Sequence, residues 1–245
     1  THPRQFEEKY KELDPVRHAD AIQKVMDRGQ TPAGMHRSIC VKEILELLRP
    51  QPGETGLDAT LGFGGHSQEI LGKLMPAGHL FAVDVDPLEL PRTEARLRGL
   101  GYDAAALTVR RMNFSEVITL LPEAGGGFDV VLADLGVSSM QIDNPARGFS
   151  FKSDGPLDLR LDPSSGQSAS GLLLSVTRQR LRDLLSDNSD EPYAVVLAAA
   201  LQGQYLETTT QLAELVRQTL TGAFKRSMPE EERVAETKRA LQRTF

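Results

Sequence analysis

The sequence predicts an α/β fold in which an open parallel sheet comes first and a helical subdomain follows. Apolar strands alternate with helical patterns up to Asp134, and this alternation is typical of parallel strands joined by right-handed crossovers. A glycine-rich turn follows the first strand, as in many sheets of this kind. Beyond Ser168 only helical periodicity remains, so the later part of the chain is predicted to be helical.

The sheet domain is predicted to cover 35–140, after an N-terminal extension at 1–34 that ends in a run of helix breakers. Its first helix is predicted over 39–48, where apolar residues recur at helical spacing until Pro50 and the Pro52-Gly53 pair stop them. The predicted strands lie at about 55–59, 80–85, 107–110 and 128–134, with helices at about 67–75 and 90–100.

The third predicted region, 141–240, is a polar loop followed by helices. Glycine, serine, aspartate and proline are frequent in 136–168, a composition typical of a long loop. No segment beyond this loop has the alternation of a strand. Helices are predicted at about 169–174, 177–186, 191–203, 209–220 and 229–242.

Composition is that of an ordinary soluble globular protein, with 245 residues, 40% hydrophobic and 25% charged. The net charge of −6 argues against nonspecific nucleic-acid binding by the whole surface, but not against a local basic face. Solvated helix faces and RNA contacts explain the basic clusters about equally well. These clusters are Arg147, Lys152 and Arg160; Arg178, Arg180 and Arg182; and Lys225, Arg226, Lys238, Arg239 and Arg243.

A single cysteine, Cys40, excludes an internal disulfide and predicts a reducing, cytoplasmic location. Because Cys40 falls in an apolar helical pattern, it is predicted to be buried rather than reactive. No apolar run approaches the ~20 residues needed to span a bilayer, so no membrane association is expected. The five histidines are scattered without the spacing of metal ligands, and no metal site is expected.

The segment 57–67 carries the clearest functional signal, because an apolar strand ends there at Asp58 and the turn Gly62-Phe63-Gly64-Gly65-His66 follows. The next apolar strand, 80–85, brings Asp84 to the same edge of the sheet. Glycines let the backbone approach a ligand, and an acid after the second strand accepts hydrogen bonds from ribose hydroxyls. The combination predicts binding of a nucleoside-bearing cofactor.

The order of the glycines indicates which cofactor is bound. Pyrophosphate-binding loops follow G-x-G-x-x-G and offer the amides of a helix start to the phosphates. The turn here differs from that order, and Asp58 suits a cationic ammonium group better than a phosphate. S-adenosylmethionine has such an ammonium group and a ribose for Asp84. It is therefore the predicted cofactor, with NAD as the weaker alternative.

Three motifs after the fourth strand resemble those of one family. They are Ala133-Asp134-Leu135-Gly136-Val137-Ser138-Ser139 with Gln141, Arg147-Gly148-Phe149-Ser150-Phe151, and Asp154-Gly155-Pro156-Leu157-Asp158-Leu159-Arg160-Leu161-Asp162. Together they resemble the RsmH (MraW) family of 16S ribosomal RNA cytosine-N4 methyltransferases, over about residues 36–216. The resemblance implies a Rossmann-like class I methyltransferase sheet with an inserted helical subdomain, S-adenosyl-L-methionine as cofactor, and ribosomal RNA of the small subunit as partner.

The resemblance also implies the site residues, position by position. For Phe114, core packing is the alternative to a contact with adenine. Asp58 and Gly62 are predicted to contact the cofactor from the pattern of the glycine-rich segment, and the remaining positions come from the family. The family positions are Gly64, Gly65 and His66 in the cofactor loop, Asp84 at the ribose, Phe114 beside the adenine, and Asp134 and Gln141 around the cofactor.

The implied reaction is methyl transfer to the exocyclic amine of cytidine, whose lone pair is delocalised into the ring. Acceptors that hold the N–H protons turn this lone pair toward the methyl group, and the Asp134 carboxylate and Leu135 carbonyl are the predicted acceptors. The extruded base is expected against aromatic faces, for which Phe149 and Phe151 are candidates. Hydrophobic anchoring of the loop explains these two rings at least as well. Arg147 and Arg160 are predicted to contact the same substrate.

The chain also departs from the family pattern. The family usually has His-x-Pro-Val-Leu where this chain has His36-Arg37-Ser38-Ile39-Cys40. Relatives carry Gly-Glu-Glu-Arg in a region that is apolar and acidic here, at 189–197. The loss of cations there predicts weaker attraction to phosphates. Four strands are predicted where the family has seven, so a divergent, C-terminally truncated member with one open sheet edge is expected, unless a partner chain covers that edge. Three alternatives stay open: a paralogue with another substrate, a non-catalytic assembly module that binds the cofactor, and a homodimer.

Overall fold

The computed structural model describes residues 38–224 and 227–245. Within it the chain divides into two compact units, Thr1–Ser138 and Ser139–Phe245. The predicted N-terminal extension at 1–34 and the departure at His36 and Arg37 lie outside the described residues, as do Lys225 and Arg226 of the last basic cluster. The domain limits expected from the sequence stay a prediction.

The first unit is built on a parallel sheet of four strands: β1 Thr55–Asp58, β2 His79–Asp84, β3 Leu107–Arg111 and β4 Val130–Leu132. Their order across the sheet is β3-β2-β1-β4, and every pairing is parallel. The predicted α/β fold is confirmed. Its helices are α1 Val41–Leu48, α2 Gly65–Leu74 and α3 Glu89–Gly99, with a 3₁₀ helix at Phe114–Leu120.

Burial on both faces of the sheet explains the continuous apolar strands. Leu80 and Ala82 of β2 pack on one face in a cluster with α2 and α3, whereas Phe81 and Val83 pack on the other. Side chains alternate between faces along a strand, so a strand covered on both sides is apolar throughout. Because all four strands are parallel, their carboxyl ends meet at one edge of the sheet.

Two predictions about this unit are wrong. The fourth strand is shorter than 128–134, because the Asp129 carboxylate accepts the Thr55 N–H at 2.8 Å and the Asp134 N–H donates to the Thr60 hydroxyl at 2.8 Å. Cys40, predicted to be buried, is exposed. It precedes α1 in a left-handed conformation with φ of 54°, so it does not share the apolar face of that helix.

The second unit is helical, as predicted. A single apolar cluster fills it, with Leu197, Leu201, Val216 and Leu220 all less than 2% exposed. No helix in the described ranges is both long and apolar enough to cross a membrane. The helices are α4 Ser139–Asp143, α5 Ala169–Ser175, α6 Arg178–Ser189, α7 Ala194–Leu201, α8 Thr209–Ala223 and α9 Glu230–Thr244, with a 3₁₀ helix at Pro145–Arg147.

The long polar loop of this unit is fixed against the start of α8. Thr208 and Gln211 form a capping box there, which satisfies N–H groups at the helix start. Pro156 pairs with Thr208 in an isolated antiparallel bridge, and the Thr210 hydroxyl donates to the Asp154 carboxylate. The loop is therefore ordered by contacts within the helical unit.

Candidate functional site

Five candidate residues lie at the carboxyl edge of the sheet, all within the first unit. β1 ends at Asp58, β2 ends at Asp84, the chain after β3 reaches Phe114, and the chain after β4 carries Asp134 and Leu135. Open α/β sheets bind ligands outside this edge, at the point where the strand order reverses. With the order β3-β2-β1-β4, that reversal lies between β1 and β4. The fold thus gathers residues that are far apart in sequence.

The glycine turn between β1 and α2 is held in place by α3. Gly62 and Gly64 have φ of 47° and 67°, a region that glycine adopts without strain. The Thr93 hydroxyl donates to the Gly62 carbonyl at 2.6 Å, and Arg96 donates to the Phe63 carbonyl at 2.6 Å. A Cβ atom on Gly64 would come within 2.6 Å of the Thr93 Cγ2 atom. The backbone at Gly64 therefore packs directly against α3, with no room for a side chain.

Thr93 and Arg96 are residues that the sequence reasoning missed. Both lie on α3, which reads in sequence as an ordinary crossover helix. Thr93 is only 3% exposed, and a polar residue in the apolar stripe of such a helix was the available signal. Burial against the turn lowers the pKa of the Arg96 guanidinium.

Asp84 orients the glycine turn and still keeps room for a ligand. Its Oδ2 accepts the Gly62 N–H at 2.7 Å and its Oδ1 accepts the Asp86 N–H at 2.9 Å. A carboxylate offers about four acceptor positions, so lone pairs of this half-buried group stay open to ligand hydroxyls. Phe114 is 49% exposed at the start of its 3₁₀ helix. The core-packing alternative for this ring is therefore wrong.

Asp58 is buried at the end of β1 and makes its hydrogen bonds within the first unit. It is 1% exposed, and its carboxylate accepts the Ser67 hydroxyl at 2.6 Å and the Thr60 N–H at 3.0 Å. Burial raises the pKa of Asp58, and the hydrogen bonds from Ser67 and Thr60 and the nearby His66 offset part of this rise. The carboxylate thus ties the end of β1 to the start of α2. Direct contact with an ammonium group stays a prediction.

His66 and Asp134 approach each other across the glycine turn. The His66 Nε2 atom lies 3.5 Å from the Asp134 Oδ2 atom. The two side chains differ in exposure, at 8% for His66 and 52% for Asp134. Gly65 is the first residue of α2, so His66 stands in the first turn of that helix. Leu135, next to Asp134, is 64% exposed.

Three residues that were predicted to contact the substrate make their observed contacts within the second unit. Arg147 is buried, donates from Nη2 to the Leu161 carbonyl at 2.8 Å, and lies over the Phe149 ring at 5.8 Å from its centroid. The Phe151 ring meets the Phe245 ring at a centroid distance of 5.6 Å, beside the apolar cluster. Loop anchoring, the alternative explanation for Phe151, is observed; RNA contacts by these residues stay a prediction.

Arg160 and Gln141 also belong to the second unit. Arg160 holds the Asp158 carboxylate through Nε and Nη2, each at 2.7 Å, and donates from Nη1 to the Gly166 carbonyl. This hydrogen bonding lowers the pKa of Asp158. Gln141 lies half-buried on α4, and its place in the cofactor site stays a prediction. No group of three metal-binding side chains occurs in the described parts of the chain.

This chain is similar to one protein family and to several known proteins. The statistical profile of the MraW methylase family matches residues 33–243. The whole chain is 52% identical to ribosomal RNA small subunit methyltransferase H 2 of Alkaliphilus metalliredigens, of which it covers 70%. It is 50% identical to ribosomal RNA small subunit methyltransferase H 1 of Lachnoclostridium phytofermentans, of which it covers 67%, and of Agathobacter rectalis, of which it covers 70%. The chain thus spans roughly two thirds of the length of these relatives.

Proposed function

Since this chain belongs to the MraW methylase family, we propose that it transfers a methyl group from S-adenosylmethionine to N4 of a cytidine in small-subunit ribosomal RNA. Family membership confirms the resemblance drawn from the motifs. The observation that carries the proposal is the convergence of Asp84, Phe114, Asp134 and the turn Gly62–Gly65 on one edge of the sheet. The names of the relatives support ribosomal RNA as the substrate.

The residues at this edge fit S-adenosylmethionine. The backbone surface at Gly62–Gly65 admits close approach of a ligand, which a side chain at Gly64 would disrupt. Asp84 supplies acceptors for the two ribose hydroxyls, and the exposed Phe114 ring supplies an apolar face for adenine. The order of the glycines does not match a pyrophosphate loop, which favours this cofactor over NAD.

Asp134 and Leu135 supply the chemistry that the chain itself contributes. When bound, S-adenosylmethionine supplies an electrophilic methyl group, and the electron pair of the broken C–S bond remains on sulfur as the new N–C bond forms. The Asp134 carboxylate accepts one N–H of the amine and the Leu135 carbonyl accepts the other, which turns the nitrogen lone pair out of conjugation. The negative charge of Asp134 also stabilises the cationic nitrogen that forms. The proton that N4 then loses passes to this carboxylate and on to water.

RNA binding is proposed for exposed cations of the helical unit. Arg178 and Arg180 are exposed at the start of α6. The net charge of −6 means that attraction to phosphates must come from such a local face. Ribosomal RNA is processed where ribosomes are assembled, so the proposal includes a cytoplasmic location.

The test is transfer of labelled methyl from S-adenosylmethionine to small-subunit RNA. Asp134→Ala should lower kcat by about 100-fold or more, because a preorganised acceptor is lost. Asp84→Ala should weaken calorimetric cofactor binding instead. Asp187→Ala, which removes an exposed acid of α6, is the matched control and should change neither quantity.

Two other outcomes of this assay would favour a different function. Saturable cofactor binding without methyl transfer to any RNA would favour a non-catalytic assembly module. Methyl transfer to an RNA other than that of the small subunit would favour a paralogue with a different substrate.

A further inference from the structure

His66 carries a buried nitrogen that makes no hydrogen bond in the part of the chain that the structure describes. The residue is 7% exposed. A buried polar atom without a partner is unfavourable because it has lost its hydrogen bonds to water, so a partner is expected when the site is assembled. The Asp134 Oδ2 atom lies within reach at 3.5 Å, slightly beyond the length of an N–H···O hydrogen bond.

The surroundings hold His66 more firmly than the Asp134 carboxylate. His66 stands in the first turn of α2, and its neighbour Ser67 donates to the buried Asp58 carboxylate at 2.6 Å. The Asp134 backbone is fixed by its N–H to the Thr60 hydroxyl, but its side chain is 52% exposed. A shift of about 0.5 Å in the carboxylate would complete the hydrogen bond. The imidazole is therefore the fixed partner and the acid the movable one.

We infer that His66 is a positioning residue for Asp134, whose carboxylate it holds through Nε2–H at Oδ2. This leaves Oδ1 directed to the substrate amine, where it can accept an N–H hydrogen bond. The inference rests on the proposed role of Asp134, and it gives His66 a task other than the cofactor contact that its motif implies. A ring that acts through Asp134 should influence the rate and not the cofactor affinity.

Glutamine and alanine substitutions separate positioning from other roles. The amide N–H of glutamine reaches about as far as Nε2–H and does not titrate. His66→Gln should therefore keep kcat within about twofold of wild type, the usual scatter of a neutral change. His66→Ala should lower kcat about 10–100-fold, because Asp134 loses the donor that orients it, while calorimetric affinity for S-adenosylmethionine stays within about twofold in both variants.

Two results with these variants would overturn this inference. A similar loss of S-adenosylmethionine affinity in both variants would make His66 a cofactor contact. An equal loss of kcat in His66→Gln and His66→Ala would show that the ring transfers protons, since glutamine can donate a hydrogen bond but cannot relay a proton.

A second measurement does not depend on turnover. Nitrogen-15 NMR of the whole chain should show the neutral His66 ring protonated at Nε2, and Asp134→Ala should abolish this tautomer preference. The His66→Gln spectrum identifies the signal among the five histidines. An unchanged tautomer in Asp134→Ala would show that the pair does not form. A chain that fails to methylate RNA would refute the proposed function while this test still decides the inference.

Discussion

Two pairs of carboxylates, one pair in each unit, have opposite kinds of partner. In the helical unit, Glu191 and Glu236 both pair with Arg243, at 2.7 Å and 2.6 Å. In the sheet unit, Asp58 and Asp84 instead accept backbone N–H and hydroxyl groups at the ends of their strands. A guanidinium neutralises an acid and fixes its geometry, whereas N–H donors orient it and leave its charge available. The ion-paired acids stabilise the fold, whereas the half-buried Asp84 keeps acceptor positions that a ligand can use.

The largest expected effect is on the buried ion pair of the helical unit. Arg243→Ala should lower the free energy of unfolding by about 3 kcal/mol, because the Glu191 side chain, 0% exposed, would stay buried with an uncompensated charge. Urea unfolding at neutral pH measures this change. Arg239→Ala is the matched control: its partner is also Glu236, but Arg239 is 54% exposed, so the expected loss is about 0–1 kcal/mol. Equal losses would contradict the contrast between buried and exposed pairs.

A smaller effect is expected at the glycine turn. Gly64→Ala should weaken S-adenosylmethionine binding about tenfold or more, because the new Cβ atom meets Thr93 Cγ2 at 2.6 Å and displaces the turn. Gly53→Ala is the control, since Gly53 also has a positive φ, 86°, and nothing within 4 Å of its Cβ position. Both variants should lose about 1–2 kcal/mol of stability from left-handed strain. Only Gly64→Ala should lose cofactor affinity in calorimetry.

The clash itself can be removed with a second substitution. Thr93→Ser keeps the hydroxyl that donates to the Gly62 carbonyl at 2.6 Å and deletes the Cγ2 atom. The double variant Gly64→Ala/Thr93→Ser should recover part of the lost affinity, and Thr93→Ser alone should bind the cofactor about as well as wild type. Absence of any recovery would mean that backbone strain, and not the contact with α3, governs the turn.

The smallest effect is a difference in pH dependence between Asp58 and Asp158. Burial raises the pKa of Asp58 above 3.8, so its ionised form opposes folding, and stability falls as pH rises from 3.8 through the folded-state pKa. The hydrogen bond from Arg160 lowers the pKa of Asp158 below 3.8, so its contribution is present above 3.8 and is lost as pH falls through the folded-state pKa.

Asparagine substitutions measure these two slopes. Relative to wild type, Asp58→Asn should become more stable as pH rises above 3.8. Asp158→Asn should become less stable than wild type as pH rises through the range below and around 3.8. For Asp158 the expected difference is within about 1 kcal/mol, as for other partly exposed ion pairs. Urea midpoints across this pH range give both values, and slopes of the same sign would rule out the contrast between the units.

The fold was predictable from local patterns, and the contacts of the site were not. Helix positions follow from the 3.6-residue periodicity, strand positions follow from short continuous apolar runs, and the strand-end acids follow from where those runs stop. Thr93 reaches Gly62 across 31 residues, and Arg96 reaches Phe63 across 33, and such contacts leave no periodic trace. The length of β4 also depended on distant partners, because the Thr60 hydroxyl takes the N–H that would extend it.

Residue type alone also did not predict the environments of two residues. Cys40 has the character of a core residue but lies outside the helix whose pattern it continues. Asp58 ends a strand like Asp84, yet it is buried and bonded to Ser67. Such differences arise from the conformation of a single residue or from one tertiary hydrogen bond, and neither is encoded in a local pattern.

The pairing of β4 with β1 has a consequence for the time course of folding. Asp134 and Thr60, which bond across this part of the sheet, are 74 residues apart, and closing so long a loop costs entropy before any contact offsets it. β1, β2 and β3 are joined by shorter crossovers, so we expect them to associate first. An early intermediate would then hold Asp84 at its strand end while Asp134 is still unplaced, and the proposed acceptor would be the last part of the site to form.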